Sequence, residues 1–217
     1  MRLRAGEPVH AGTAWTMMDV GLNAMSGVLA DRRAGKRSRQ GGTTVNEDKV
    51  AKVLEEMPYG LYIIGSKLDG EVNGMMADWV MQVSFQPRLV AIAFENDARS
   101  LENIRATKVF TMNALSQDKD GMELAAKFAQ PYYGAKIKGR TRTAAEEIHR
   151  KLQGIAHTTT SAGCPVLDAG MAWLECQAEQ FVSAGDHTLV IARVLDGHLV
   201  RDAQPLTSSY TGWNYSG

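Results

Sequence analysis

Asn73-Gly74-Met75-Met76-Ala77-Asp78-Trp79-Val80-Met81-Gln82-Val83-Ser84-Phe85-Gln86-Pro87 is the stretch on which the reading of this chain turns. Upstream, the pair Asp69-Gly70 is a two-residue hairpin signal that folds the apolar run Leu61-Tyr62-Ile63-Ile64 back into it. Downstream, Leu89-Val90-Ala91-Ile92-Ala93-Phe94 is a β-rich run entered through Pro87. Gly74 is open to backbone angles closed to other residues and lets a planar ligand approach the main chain. Ala77, Asp78, Gln82 and Ser84 are small, acidic, amide-bearing and hydroxyl residues, mixed with the large apolar Met75, Met76, Trp79 and Met81. By composition alone the stretch reads first as a half-buried strand. The same mixture also suits a flat heteroaromatic ring with one apolar face and one polar edge.

Working outward, Val50, Val53, Leu54 and Met57 repeat at helical spacing behind a candidate N-cap, Asn46, with Glu47 and Asp48 in the first turn. After the second β-run, Ser100 is a candidate N-cap for a helix of about two turns that buries Leu101 and Ile104. Asn96, Arg99 and Ser100 at that point read either as a capped helix with a surface arginine or as a phosphate site. In the second case the helix dipole, free N–H groups and a guanidinium would converge on an anion. Residues 109–115 read as a strand and 118–128 as a helix carrying Met122, Leu124, Ala125 and Phe128. Residues 131–162 are polar, with a basic cluster (Lys136, Lys138, Arg140, Arg142) and a short helix expected around 144–152. The cluster reads as a solvated loop or as a seat for dinucleotide phosphates. Residues 171–178 and 189–195 look like paired strands around a Ser183-Ala184-Gly185-Asp186-His187 turn, and the aromatic tail at 210–215 pads the fold or reaches a partner. Short strands with turns between them and helices at the margins predict a mainly β protein, a closed barrel rather than a βαβ sheet.

Totals narrow the function. At 217 residues the chain suffices for one well-buried domain with an extension. Residues 1–44 hold seven Arg or Lys against three acids, leaving 17 basic and 21 acidic residues for the remainder. An acidic body argues against binding a phosphate backbone, so nucleic acid is not an expected partner. No run approaches the roughly 18 consecutive apolar residues of a membrane span. The organisation expected is a loosely packed extension at 1–44 followed by one domain at 45–217. Cys164 and Cys176 form no CxxC pair, and the histidines form no metal constellation, so no metal is expected. A reducing cytoplasm is the expected compartment. No GxGxxG follows a strand, and there is no phosphate-binding P-loop, HExxH or GxSxG. That leaves chemistry carried by a bound cofactor rather than by a reactive side chain.

The residues Gly74-Met75-Met76-Ala77-Asp78-Trp79 and Gln82-Val83-Ser84-Phe85-Gln86-Pro87 resemble the two signature elements of the flavin reductase-like, FMN-binding split-barrel family. They also resemble the flavin reductase module of diflavin flavoproteins. The likeness runs from about Val53 to Tyr215. Two positions depart from it: Met76 stands where Thr is common, and Asp78 where Ser is common. The resemblance implies a split β-barrel with peripheral helices that holds FMN. Backbone amides of 76–79 and 82–84 would line the ring and ribityl chain, with Asn73, Gly74, Met75 and Val83 beside them. Arg99, Ser100 and Asn96 would take the phosphate. His187, in Gly185-Asp186-His187-Thr188, is similar to a Gly-Asp-His element near the flavin or nicotinamide face, although it also reads as a turn histidine bonded to backbone. The family further implies a homodimer, NADH or NADPH as hydride donor, and a monooxygenase or other protein as electron acceptor. Two other functions stay open: a non-enzymatic, flavoredoxin-like FMN electron carrier, and a split barrel for another planar ligand such as haem or a pyridoxal derivative.

Overall fold

The computed structural model describes residues 47–129 and 151–213. The extension expected at 1–44, the Asn46 cap, the basic cluster at 136–142 and nearly all of the helix expected at 144–152 lie outside them. Along the chain run α1 (Glu47–Glu55), β1 (Tyr62–Leu68), β2 (Glu71–Ala77), β3 (Val80–Ser84), β4 (Leu89–Glu95), α2 (Arg99–Thr107), β5 (Val109–Ala114) and α3 (Lys119–Phe128). A small hairpin, β6 (His157–Thr159) and β7 (Pro165–Leu167), leads to the long strands β8 (Ala172–Ala184) and β9 (His187–Leu199) and a last turn of helix, α4 (Ser208–Thr211).

Local chemistry explains the junctions. Asp69 and Gly70 both have positive φ (51° and 82°), the geometry a two-residue hairpin needs if its twist is to match the flanking strands. Asp118 caps α3 by accepting from Gly121 N at 2.8 Å, and that N–H holds its carboxyl below the usual range. At α2 the expected cap is corrected. Ala98, with extended angles and no side-chain bond, is the N-cap, and Ser100 lies inside the first turn.

Seven antiparallel strands form one sheet in the order β2-β1-β5-β8-β9-β4-β3. Its two ends, β2 and β3, are consecutive in sequence, with only Asp78 and Trp79 between them. Seven strands at roughly 4.8 Å spacing would separate the ends of a flat sheet far beyond the reach of two residues. The sheet must therefore curl into a cylinder. The register carries the stagger that such closure requires. From Ala77 the ladder passes Tyr62, Ala114 and Ala172 to Leu199, whereas from Val80 it passes Ile92 to Val190, nine residues away on β9. The expected mainly β barrel with peripheral helices is what the chain forms.

Ile64, Val90, Ile92, Phe94, Phe110, Met112, Cys176 and Val190 fill the cylinder, with Leu101 and Ile104 of α2 packed against them. A second cluster lies outside the wall, where Leu124, Ala125 and Phe128 of α3 cover Ile63 with Leu115, Leu167 and Leu206. Burial on both faces is why β1 reads as a continuous apolar run. In α1 the expected helix is present, but Val50, Val53 and Leu54 on it, and Met57 just beyond its end, are exposed. Cys164 and Cys176 are unpaired and buried, and burial pushes their thiols up to about 11 and about 12, which makes them inert at neutral pH. Among the described residues no helix is long and apolar enough to cross a membrane, and no group of three or more ligating side chains is arranged for a metal ion.

Candidate functional site at the barrel seam

β2 and β3 are the two edge strands, so alternate N–H groups on each are not consumed by the ladder. The Asp78-Trp79 link joins these edges. Trp79 is anchored there by its carbonyl, which accepts from Ala93 N at 3.1 Å, while Asp78 O accepts from Val80 N at 2.8 Å. The turn between β8 and β9 places His187 against Trp79, with ring centroids 4.8 Å apart and planes tilted by 37°. His187 Nδ1 lies 2.7 Å from Asp186 Oδ1, which makes Nδ1 the donor nitrogen and fixes the plane of the imidazole. That bond holds the exposed Asp186 carboxyl below the usual range.

Asp78 is half-buried at this seam. Burial pushes its carboxyl up to about 6, against the opposing pull of its own and Trp79's backbone N–H groups and of His187. The carboxylate thus accepts from two of the amides expected to face a ligand.

Asn96 ties the β4–α2 loop to the same turn. Its N–H donates to Asp186 O at 3.0 Å, its Nδ2 donates to Gly185 O at 3.2 Å, and its Oδ1 accepts from Thr188 Oγ1 at 2.7 Å. Thr188 also accepts from Arg105 at 3.1 Å. The Asn96 amide is therefore spent on positioning the turn that carries His187. Ser100, almost wholly buried, accepts from Asn73 Nδ2 at 3.0 Å, and Asn103 donates to Ser66 Oγ at 3.1 Å. These two amide–hydroxyl bonds fasten α2 across β1 and β2. Arg99 at the first turn of α2 is engaged by Glu102 at 2.8 Å.

Of the remaining predicted residues, Met75 and Ala77 face the inner core and Met76 faces the outer one, as strand alternation requires. Gly74 is in ordinary strand conformation, not at positive φ. A Cβ there would collide with the Phe128 ring, so packing under α3, not special backbone angles, accounts for the glycine. Gln82, Val83 and Ser84 lie on the exposed part of β3 around a register shift, with Gln82 Nε2 donating to Ser84 O at 3.1 Å. The structure thus brings together Asp78, Trp79, His187 and Asn96, and separately Asn73 with Ser100. Glu102 and Arg105 were not singled out from sequence. Glu102 had a signal, its i+3 spacing from Arg99; Arg105 had none, because its partner lies on β9. A cavity of about 590 Å³ lined by Arg88, Met112, Trp173, Val194, Asp196 and His198 contains none of these residues.

The arrangement fits a flat, anionic cofactor. Edge-strand amides offer donors to a polar ring edge, Trp79 and His187 offer an aromatic wall, and the α2 terminus has no side chain capping it. The Asp78 and Glu102 carboxylates oppose it and temper the charge of the site.

Comparison with known proteins agrees with this geometry. Residues 54–214 match the flavin reductase like domain. A high molecular weight rubredoxin from Moorella thermoacetica is 30% identical over 73% of this chain and 64% of its own length. Diflavin flavoprotein A 1 of Synechocystis is 29% identical over 75% of this chain and 26% of its own. The chain therefore spans under two thirds of one of these curated relatives and about a quarter of the other. The crystal structure of flavin reductase PheA2 superposes with a TM-score of 0.59 at 28% identity, over 75% of this chain and 93% of that one. A barrel seamed at two residues, built on this signature and matched along most of its length, makes the chain a member of the flavin reductase-like domain family.

Proposed function

We propose that this protein is an NAD(P)H-dependent flavin reductase in which FMN lies along the β2–β3 seam. The observation that carries the reading is the meeting of two sheet edges with the packed Trp79–His187 ring pair at one point. Membership of a family named for flavin reduction supports it, as does the likeness to PheA2. Flavin, when bound, supplies the hydride-accepting chemistry. The chain's own part is to bind, orient and shield. Edge amides of 76–79 and 82–84 donate to the ring's polar edge, and Trp79 covers a face. The first turn of α2, with Arg99, attracts the phosphate. His187, held by Asp186, marks the side where a nicotinamide would have to come within roughly 3–3.5 Å for transfer. A homodimer in the cytoplasm, passing electrons to an oxygenase or another acceptor protein, completes the reading.

The test is anaerobic mixing of the protein and FMN with NADH, and separately NADPH, while following the oxidised-flavin absorption band. Bleaching far faster than in protein-free controls is expected with at least one nicotinamide. FMN that binds but is reduced no faster than the control would favour the second reading, an FMN electron carrier. That alternative draws on relatives in which this domain is one part of a longer chain. Colourless protein that ignores added FMN would end both.

A further inference from the structure

We propose that Asp78 sets the redox preference of the flavin site, favouring the oxidised cofactor and weakening the hold on its anionic reduced form. The inference rests on the flavin reading above and extends it to one residue. Asp78 occupies one of the two positions that join the open edges, and its carboxylate already accepts from its own N–H and from that of Trp79. Two donors that would otherwise meet an incoming acceptor are thus partly spent on a fixed negative charge.

Reduction by hydride adds two electrons and one proton to the ring, which leaves negative charge near the polar edge that backbone donors face. A half-buried carboxylate beside that edge is poorly screened, so it penalises the anion more than the neutral oxidised ring. Among the described residues, His187 is the basic side chain that opposes the effect of burial on Asp78, and it is itself bonded to Asp186. Compensation from that side is therefore shared between two acids. A site of this kind takes up oxidised flavin and discharges the reduced product, the behaviour needed where reduced flavin is handed to another protein.

The dependence on pH has a fixed sign. The folded-state value of about 6 lies above the ordinary 3.8, so the carboxyl is neutral at pH 5 and charged at pH 8. The preference for oxidised flavin should be strong at pH 8 and weak at pH 5.

The experiment measures dissociation constants for oxidised and for anaerobically photoreduced FMN, at both pH values, on the wild type, Asp78→Asn and Asp78→Ser. At pH 8 both variants should bind reduced FMN about tenfold more tightly relative to oxidised FMN than the wild type does. That ratio corresponds to a potential about 30 mV more positive for a two-electron couple. At pH 5 the wild-type ratio should approach that of the variants measured at the same pH, a comparison from which the protonation of the reduced ring itself cancels. An unchanged ratio in both variants, with both flavin forms still binding, overturns the proposal and leaves the flavin site standing. Failure of the wild type to bind either form removes the flavin reading itself, and this inference with it.

Discussion

Arg99 is bonded to a carboxylate three residues on, and that pairing changes what its guanidinium can offer a phosphate. If it grips FMN, Arg99→Ala should weaken FMN by about 1.5–3 kcal/mol, roughly ten- to 150-fold, the range for a charged hydrogen bond. Riboflavin, which lacks the phosphate, should be nearly indifferent. Glu102→Gln should act oppositely, tightening FMN and leaving riboflavin alone, because it releases the guanidinium from a competitor. Fluorescence-quenching titrations with the two flavins check both; equal losses for FMN and riboflavin would place Arg99 away from any phosphate. Sequence identified Arg99 because an arginine beside a helix start is a local pattern. It misplaced the cap at Ser100 because the true N-cap, Ala98, has no polar side chain to announce itself, while the serine hydroxyl serves Asn73 across the sheet. Asn96, Thr188 and Arg105 form a chain of bonds between a loop, a strand and a helix, and no spacing within the sequence encodes it.

At the scale of elements, the β1–β2 hairpin, β4, α2, β5 and α3 were legible because each has a turn or cap signal and a clear period. The division of 73–87 was not, since composition does not say that its halves belong to opposite ends of a sheet. The outer parts of β8 and β9 were also missed. Residues 179–184 and 196–199 are largely exposed, so no apolar alternation marks them as strand. The contact between β2 and α3 offers a measurable case. Phe128→Ala should cost about 3–5 kcal/mol, as for other large buried side chains. Gly74→Ala alone should destabilise by about 1–3 kcal/mol through overpacking, yet cost little once Phe128 has been shortened to Ala. Urea denaturation of the two single variants and the double variant reads the coupling; simple additivity would show that the two residues do not compete for the same space.

For the whole molecule, the sequence conveyed a mainly β barrel through its short strands, its turns and the family likeness, but not where the wall closes. Closure depends on which strands end up as neighbours, and β8 and β9 reach their partners across tens of residues. The proposed cofactor would lie where the wall closes, so binding and global stability should be linked. With free FMN at 100 times its dissociation constant, the folded state gains about 2.7 kcal/mol, or roughly 5–10 °C in melting temperature for a domain of this size. Thermal denaturation with FMN against an equal concentration of inorganic phosphate checks this; no shift at concentrations that saturate a direct titration would mean that the ligand sits away from the closure.

A two-residue tether between the first and last staves also limits how this barrel can change over evolutionary time. Lengthening it by even a few residues would slacken the hoop and pull the aromatic wall off its histidine, so insertions should collect in loops elsewhere around the rim. Variation at this spot should be confined to exchanging one side chain for another, an exchange that would alter the charge of the cradle while leaving its shape alone.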